Sequence, residues 1–293
     1  MTSPSVSPSP SSASASDGSL PSAAPADTAA RPPSPAAPLH PSAQPLVTCQ
    51  TVGSIAHVRL SRPEKLNALT LPMLDELIHV ARQIRRDPGI RAVVLSGHGD
   101  AFCAGMDLKS ALRTPGGVAT RFLPRPWTGT NVFQEACWVW RRLSVPVIAA
   151  VHGHCLGGGL QLALGADLRV TAPDATWSVR ETHWGLVPDM SGMRTLTELL
   201  PLDVAKDLTL TARMVSGTEA ERIGLATRVS DDPVATAVEL AQEIIQHDRQ
   251  AVSHAKRLLD RAATASARAT FARERLAQLR LLARLNRTGL PGR

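Results

Sequence analysis

The sequence predicts an α/β fold that ends in a helical C-terminal part, and two observations carry this prediction. Short β-branched runs alternate with amphipathic helical patterns from residue 46 onward, which is typical of largely parallel strands joined by helices. After residue 190 the pattern is almost wholly helical, apart from one short run. A chain of 293 residues that is 43% hydrophobic has ample material for a buried core.

The first 45 residues do not belong to that core. They consist mainly of Pro, Ser and Ala with almost no large apolar side chains, so burial cannot offset the entropy of ordering them. A single Arg and the lack of an apolar run make a targeting signal a poor explanation. We therefore expect a disordered tail at 1–45, an α/β core at 46–230 and a helical region at 231–293.

Individual elements follow from local patterns. Five β-branched runs predict strands, at 56–61, 91–97, 146–153, 167–172 and 226–230. Between the first two runs lies a helical pattern with Thr70 as its predicted N-cap, Pro72 in the first turn, acids early and arginines late. Two further helical segments are predicted at 231–247 and 250–285.

Charge and composition restrict the class of protein. The formal charge is +7, and all but four of the 32 basic residues are arginine, so an anionic substrate or partner is indicated. Aromatic residues for base stacking make up 3%, and we do not expect a nucleic-acid site. No stretch is apolar enough to span a bilayer, and the four cysteines lack a CxxC pair, which predicts a soluble, cytoplasmic protein.

The stretch at 97–110 is the first candidate site. Gly97 and Gly99 resemble part of a dinucleotide fingerprint, but Phe102 replaces the third glycine and argues against that interpretation. Further on, Gly105 allows a sharp bend that would direct the backbone amide of Met106 into a cavity.

Three consecutive glycines, 157–159, form the second candidate site because they precede an apolar helix. The unpaired N–H groups at a helix start attract an anion, and one of them could join the Met106 amide in an oxyanion hole. A glycine turn packed tightly against a neighbouring strand is the structural alternative. Three nearby histidines form no metal-binding motif, and no metal is expected.

Taken together and in order, these segments resemble the crotonase (enoyl-CoA hydratase/isomerase) superfamily. The resemblance covers residues from about 48 to about 260. Its motifs are "LSRPEKLNALT" (60–70), "AFCAGMDLK" (101–109), "VPVIAAVHGHCLGGGLQLALGADLRV" (145–170) and "WSVRETHWGLVPDMSG" (177–192). It implies the ClpP/crotonase spiral of ββα units, with a helical C-terminal region that covers CoA and forms a homotrimer or hexamer.

The resemblance also implies the substrate and its contacts. A CoA thioester would place its carbonyl oxygen between the amides of Met106 and Gly158, which stabilise an enolate. Lys65 and Ala68 become candidate CoA contacts, and Lys256 is a weaker candidate for a CoA phosphate that could equally be an ordinary surface lysine. Coenzyme A enters as part of the substrate, and no other cofactor is implied.

The choice of reaction depends on the acids. Family members that hydrate a double bond carry glutamates at the positions of Gln161 and Glu181, but an amide cannot accept and return a proton. Dienoyl-CoA isomerases carry acids matching Glu181 and Asp189, and a third matching Gln161. Two structural alternatives stay open here: Glu181 could pair with Arg180 or Arg194, and Asp189 could be a turn or N-cap residue.

These patterns predict a double-bond isomerase, either an enoyl-CoA or a dienoyl-CoA isomerase of fatty-acid β-oxidation or related metabolism. Glu181 and Asp189 are its predicted catalytic residues, and Gln161 lies beside them. Enoyl-CoA hydratase is the alternative within the same class. A non-catalytic crotonase-like protein that binds RNA or acts as a scaffold is the alternative of another class.

Overall fold

The computed structural model describes residues 44–288. Within this range the strands are β1 (Val47–Val52), β2 (Ile55–Leu60), β3 (Ala92–Gly97), β4 (Val147–Val151), β5 (His154–Leu156), β6 (Leu168–Thr171), β7 (Thr176–Ser178), β8 (Val215–Ser216) and β9 (Arg228–Val229). The helices are α1 (Leu71–Arg86), α2 (Leu108–Leu112), α3 (Pro115–Phe122), α4 (Val132–Arg141), α5 (Gly158–Leu164), α6 (Gly192–Leu199), α7 (Leu202–Thr211), α8 (Gly217–Arg222), α9 (Pro233–Ile245), α10 (Arg249–Ala262) and α11 (Ala267–Thr288).

Two sheets organise these elements. The larger has the order β1-β2-β3-β4-β6-β9 and is parallel except for the β1–β2 pair, while the smaller has the order β5-β7-β8. Because β2, β3, β4 and β6 run in the same direction, their carboxyl ends share one side of the larger sheet, called here the carboxyl edge. The side on which β3, β4 and β6 begin is called the amino edge.

The larger sheet is covered on both faces, as its apolar strands require. Along β3, Val93 and Leu95 face a core shared with α1, α4 and α5, while Ala92 and Val94 face a second core completed by α9. Residues after 231 therefore contribute directly to the packing of the sheet. None of the helices within residues 44–288 is long and apolar enough to cross a membrane.

The five predicted strands are confirmed with small changes at their ends, as is α1, where the Thr70 side chain accepts a hydrogen bond from the Met73 amide. The short strands β5, β7 and β8 and the edge strand β1 were not predicted. The pattern at 250–285 is divided into α10 and α11 by a break at 263–266. The predicted tail at 1–45 lies outside the described residues except for its last two positions.

Candidate active site

The first component of the site is the turn that follows β3. Gly105 has φ +94°, a conformation that side chains disfavour. Leu69 donates its amide to the Gly105 carbonyl at 2.7 Å, and its own carbonyl accepts the Asp107 amide at 2.9 Å. In this pattern the Met106 amide points away from Leu69, and within residues 44–288 it donates to no backbone carbonyl. An amide without a backbone acceptor is what the predicted oxyanion-hole role of Met106 requires, and that role stays a prediction.

The second component is the start of α5. Gly157 is the N-cap with φ +49°, and the Gly158 amide that follows has no backbone acceptor in the described part of the chain. A Cβ placed on Gly158 would lie 2.9 Å from the Met190 Sδ and 3.5 Å from the Met106 Cγ. A Cβ on Gly105 would lie 3.7 Å from the Gly158 nitrogen. The turn and the helix start therefore lie side by side, and a glycine at each keeps the backbone accessible.

Gln161, one turn into α5, is buried and has a fixed orientation. Its Oε1 accepts hydrogen bonds from the backbone amides of Met190 and Gly192, both at 2.8 Å. Its Nε2 must then face the other way, where it donates to Glu181 Oε1 at 2.6 Å. Toward Glu181, Gln161 is a donor and not an acceptor. The sequence could identify the amide at this position but not the two backbone donors that orient it.

Glu181 precedes a short 3-10 turn at Thr182–Trp184 and presents one reactive oxygen. Burial raises the pKa of Glu181, and the charge of Asp189 raises this pKa further, against hydrogen bonds from its own amide and from Gln161. Its Oε2 is buried without a hydrogen-bond partner among residues 44–288. Such an oxygen is available to take a proton from a ligand.

The ion-pair alternative for Glu181 is not observed. Arg180 donates to the Ala212 carbonyl at 3.4 Å, and Arg194 pairs with Glu198. A Cβ on Gly157 would lie 3.2 Å from Glu181 Oε1, so the carboxylate lies directly beside the start of α5. This places the free carboxylate oxygen and the free amides within one site.

Asp189 is half-buried and follows the buried Pro188. Burial raises the pKa of Asp189, which favours its protonated form relative to an exposed aspartate. Of the two predicted structural alternatives, the turn is observed, because Asp189 lies in a turn with Met190, and the N-cap is not, because the N-cap of α6 is Ser191. Asp189 is therefore a second carboxyl group near Glu181 with a raised pKa of its own.

Two residues that the sequence analysis did not select hold the loop that carries Lys65 and Ala68, and one of them, Arg62, joins it to the Met106 turn. Arg62 donates to the Ala68 carbonyl at 3.1 Å and pairs with Asp107 at 2.9 Å. Asn67 is fully buried with φ +55°, a conformation that Asn tolerates better than most residues. Lys65 is exposed on this loop and Ala68 is partly buried.

Lys256 lies elsewhere. Its ammonium is buried, forms an ion pair with Asp167 and lies 3.4 Å from an oxygen of Asp260. Asp167 immediately precedes β6, so this pair belongs to the amino edge, opposite the turn that follows β3. The structure gives no contact between Lys256 and the residues of the candidate site, and the predicted role in CoA binding gains no support from the described chain.

Fold and site together define an α/β protein in which two unpaired backbone amides lie near a buried carboxyl group. The family model for enoyl-CoA hydratase/isomerase matches residues 50–287. Short-chain-enoyl-CoA hydratase of Clostridium acetobutylicum is 33% identical over 220 residues, which cover 73% of this chain and 81% of that protein. The mitochondrial Delta(3,5)-Delta(2,4)-dienoyl-CoA isomerase of Homo sapiens is 35% identical over 213 residues, 69% of this chain and 64% of that protein.

The solved structures agree with this result. A putative enoyl-CoA hydratase from Thermobifida fusca in complex with CoA superimposes with a TM-score of 0.73 at 32% identity, covering 83% of this chain and 95% of that one. The chain belongs to the enoyl-CoA hydratase/isomerase family and has the crotonase fold.

Proposed function

We propose that this protein is an acyl-CoA double-bond isomerase that acts on 3-enoyl or 3,5-dienoyl thioesters. The observation that carries the proposal is the orientation of Gln161. Its oxygen is occupied by two backbone amides and its nitrogen donates to Glu181, so it cannot serve as a second base. Relatives include both hydratases and dienoyl-CoA isomerases, and the local chemistry of this chain favours the isomerases.

The first step is binding of the thioester carbonyl. The amides of Met106 and Gly158 would donate to its oxygen, and this interaction strengthens as negative charge develops in the enolate. Removing one such donor typically costs about 2.7–4 kcal/mol of transition-state stabilisation. Because both donors are backbone groups held by the Leu69 bridge and the start of α5, they need no reorganisation during the reaction.

The second step is proton transfer. Glu181 Oε2 takes a proton from carbon 2 of a 3-enoyl thioester, which leaves an enolate and a neutral carboxylic acid. Return of that proton to carbon 4 gives the 2-enoyl isomer, with no net gain or loss of atoms. The raised pKa suits this exchange, because burial makes Glu181 a stronger base and tolerates its neutral form.

Asp189 extends the reaction to longer conjugated systems. In a 3,5-dienoyl thioester the proton leaves carbon 2 but must arrive at carbon 6, beyond the reach of one carboxyl group held in a fixed position. Glu181 and Asp189 would divide the two tasks, with Glu181 as the base at carbon 2 and Asp189, in the molecules where it carries a proton, as the acid at carbon 6. The raised pKa of Asp189 supports this assignment.

The same proposal includes the surroundings of the site. Lys65 and Ala68 are proposed to contact the CoA moiety, because their loop is tied to the Met106 turn through Arg62. We also propose a homotrimer or hexamer that needs no metal or redox cofactor and that functions in cytoplasmic β-oxidation or related acyl-CoA metabolism.

The test is incubation of the protein with 2-enoyl-, 3-enoyl- and 3,5-dienoyl-CoA in heavy-oxygen water, followed by mass spectrometry and absorbance. We expect the 3-enoyl or dienoyl substrate to isomerise without a gain in mass, and the Glu181→Gln variant to stop the reaction. Rapid incorporation of labelled water into the 2-enoyl substrate would instead identify a hydratase and overturn the proposal. Binding of RNA without turnover of any thioester would move the protein to the other class.

A further inference from the structure

Arg62 joins the loop that precedes α1 to the Met106 turn. Its Nη1 donates to two acceptors, the Ala68 carbonyl at 3.1 Å and Asp107 Oδ2 at 2.9 Å. The side chains of Arg62 and Asp107 are only 17% and 19% exposed, so water competes weakly for these contacts. The Ser110 amide, and after it the Arg62 guanidinium, hold the pKa of Asp107 below its usual range against the effect of burial. The ionised carboxylate therefore holds the guanidinium in place against the Ala68 carbonyl.

The Ala68 carbonyl begins a line of two hydrogen-bonded peptide groups that ends at the Met106 amide. The Ala68 carbonyl and the Leu69 amide belong to one peptide group, and a trans peptide directs its C=O and N–H in opposite directions. The Leu69 amide donates to the Gly105 carbonyl at 2.7 Å. That carbonyl shares its peptide group with the Met106 amide, which donates to no backbone carbonyl within residues 44–288. One line of donors and acceptors thus leads from Arg62 to the proposed thioester oxygen.

The line crosses two segments whose backbone conformations need support from outside. In the loop, Leu66 and Asn67 are left-handed, with φ +49° and +55°. In the turn, Gly105 has φ +94°. Such conformations persist only where surrounding contacts over-determine them. The Leu69–Gly105 hydrogen bond joins the two segments to each other, and Arg62 fixes the outer end of the line.

We propose that Arg62 is a positioning residue of the oxyanion hole, which orients and polarises the Met106 amide through the two intervening peptide groups. A cation at one end of a hydrogen-bonded line polarises each group in turn, and each link gains about 10–30% in strength. The hydrogen bond of 2.7 Å between Leu69 and Gly105 lies at the short end of the usual range, as this polarisation predicts. The inference rests on the proposed oxyanion hole but not on which reaction follows.

The experiment uses acetoacetyl-CoA, a thioester that loses a proton from carbon 2 to the buffer and becomes an enolate. Because the enolate absorbs in the near ultraviolet, absorbance at saturating protein and fixed pH gives the enolate-to-keto ratio of the bound ligand. This ratio reports the strength of the oxyanion hole and requires neither isomerisation nor hydration.

Two variants and one control are compared with the wild type. Arg62→Met removes the donors and the charge, whereas Arg62→Lys keeps a charged donor. The matched control is Arg59→Met, which removes the same charge from an exposed position of β2. Thermal melting shows whether each variant is folded.

We expect the wild type and Arg59→Met to raise the enolate-to-keto ratio equally above that of free acetoacetyl-CoA. Arg62→Met should lower the ratio at least about threefold, and Arg62→Lys should keep at least about half of the wild-type ratio. If Arg62→Met does not fold, Arg62→Gln replaces it. Both Arg62→Gln and Arg62→Lys can donate a hydrogen bond but only lysine carries a charge, so equal ratios in these two variants would contradict the proposal.

Two other outcomes separate this inference from the proposed function. An unchanged ratio in Arg62→Met, with weaker binding alone, would show that Arg62 serves only the loop, and the inference would be wrong while the oxyanion hole stands. A wild type that does not raise the ratio above that of the free ligand would overturn both the oxyanion hole and the role of Arg62.

Discussion

Two half-buried carboxyl groups, one beside each edge of the larger sheet, have opposite surroundings. At the amino edge, Asp167 receives the ammonium of Lys256 at one oxygen and the Val147 amide at the other, at 2.8 Å. At the carboxyl edge, Glu181 receives the neutral amide of Gln161 at one oxygen, and its other oxygen has no partner within residues 44–288. Burial raises the pKa of both groups.

The difference shows how one kind of side chain serves stability in one place and chemistry in another. Asp167 has a partner for each oxygen and a counter-charge, so it joins α10 to the sheet. Glu181 has no counter-charge among residues 44–288, and its desolvation is a cost to folding that the protein retains. An unpaired carboxylate beside two unpaired amides is what proton transfer on a bound thioester requires.

The largest expected effect comes from Glu181→Gln. We expect isomerase turnover to fall about 100- to 10,000-fold, because the variant cannot take up a proton. Stability should not fall at neutral pH. A raised folded-state pKa means that the folded protein binds the proton more tightly than the unfolded chain, so ionised Glu181 opposes folding above that pKa. Steady-state kinetics tests the loss of turnover, and urea unfolding tests the retained stability. A Glu181→Gln variant that is inactive because it is unfolded would contradict the assignment of Glu181 as the base.

The Lys256→Met variant tests whether the ion pair with Asp167 contributes to stability and not to turnover. Removing one partner of a buried ion pair costs about 3–5 kcal/mol, because Asp167 would keep a buried charge without a counter-ion or take up a proton. The free energy of unfolding should fall accordingly, while turnover per folded molecule stays unchanged. Lys206→Met, at an exposed position of α7, is the matched control and should change neither. Lower affinity for CoA in Lys256→Met with unaltered stability would restore its predicted role in substrate binding.

Local sequence patterns predict some features of this comparison and miss others. The strands of the larger sheet other than β1, the Thr70 cap and the glycine turns depend on neighbouring residues, so periodicity and turn chemistry identify them. The partner of Lys256 is 89 residues away, and no local pattern records such a pairing. The orientation of Gln161 depends on the backbone amides of Met190 and Gly192, which lie 29 and 31 residues further along the chain, and no local pattern records these contacts either.

The next variant, Gln161→Glu, replaces the neutral hydrogen-bond donor beside Glu181 with a second carboxyl group. In Gln161→Glu, one oxygen can keep the Met190 and Gly192 amides, while the other faces Glu181 at about the distance where two carboxyl groups share a proton. The pair could then hold and activate a water, and we expect at least tenfold more heavy-oxygen label in product from 2-enoyl-CoA. Gln161→Met is the control and should give no such gain. An unlabelled product from Gln161→Glu would show that this position does not determine the choice between isomerisation and hydration.

The smallest expected effect is a displaced pH profile. Turnover needs ionised Glu181, so it is lost as the pH falls through a pKa above the ordinary value of 4.5 for a glutamate. Asp189→Asn removes the negative charge that contributes to this elevation, and the acid limb for a 3-enoyl substrate should move to lower pH while turnover on the neutral plateau is retained. Asp174→Asn, at an exposed position, is the control and should leave the limb in place. An unmoved limb in Asp189→Asn would mean that the two carboxyl groups do not interact, and that burial alone raises the pKa of the unpaired carboxylate.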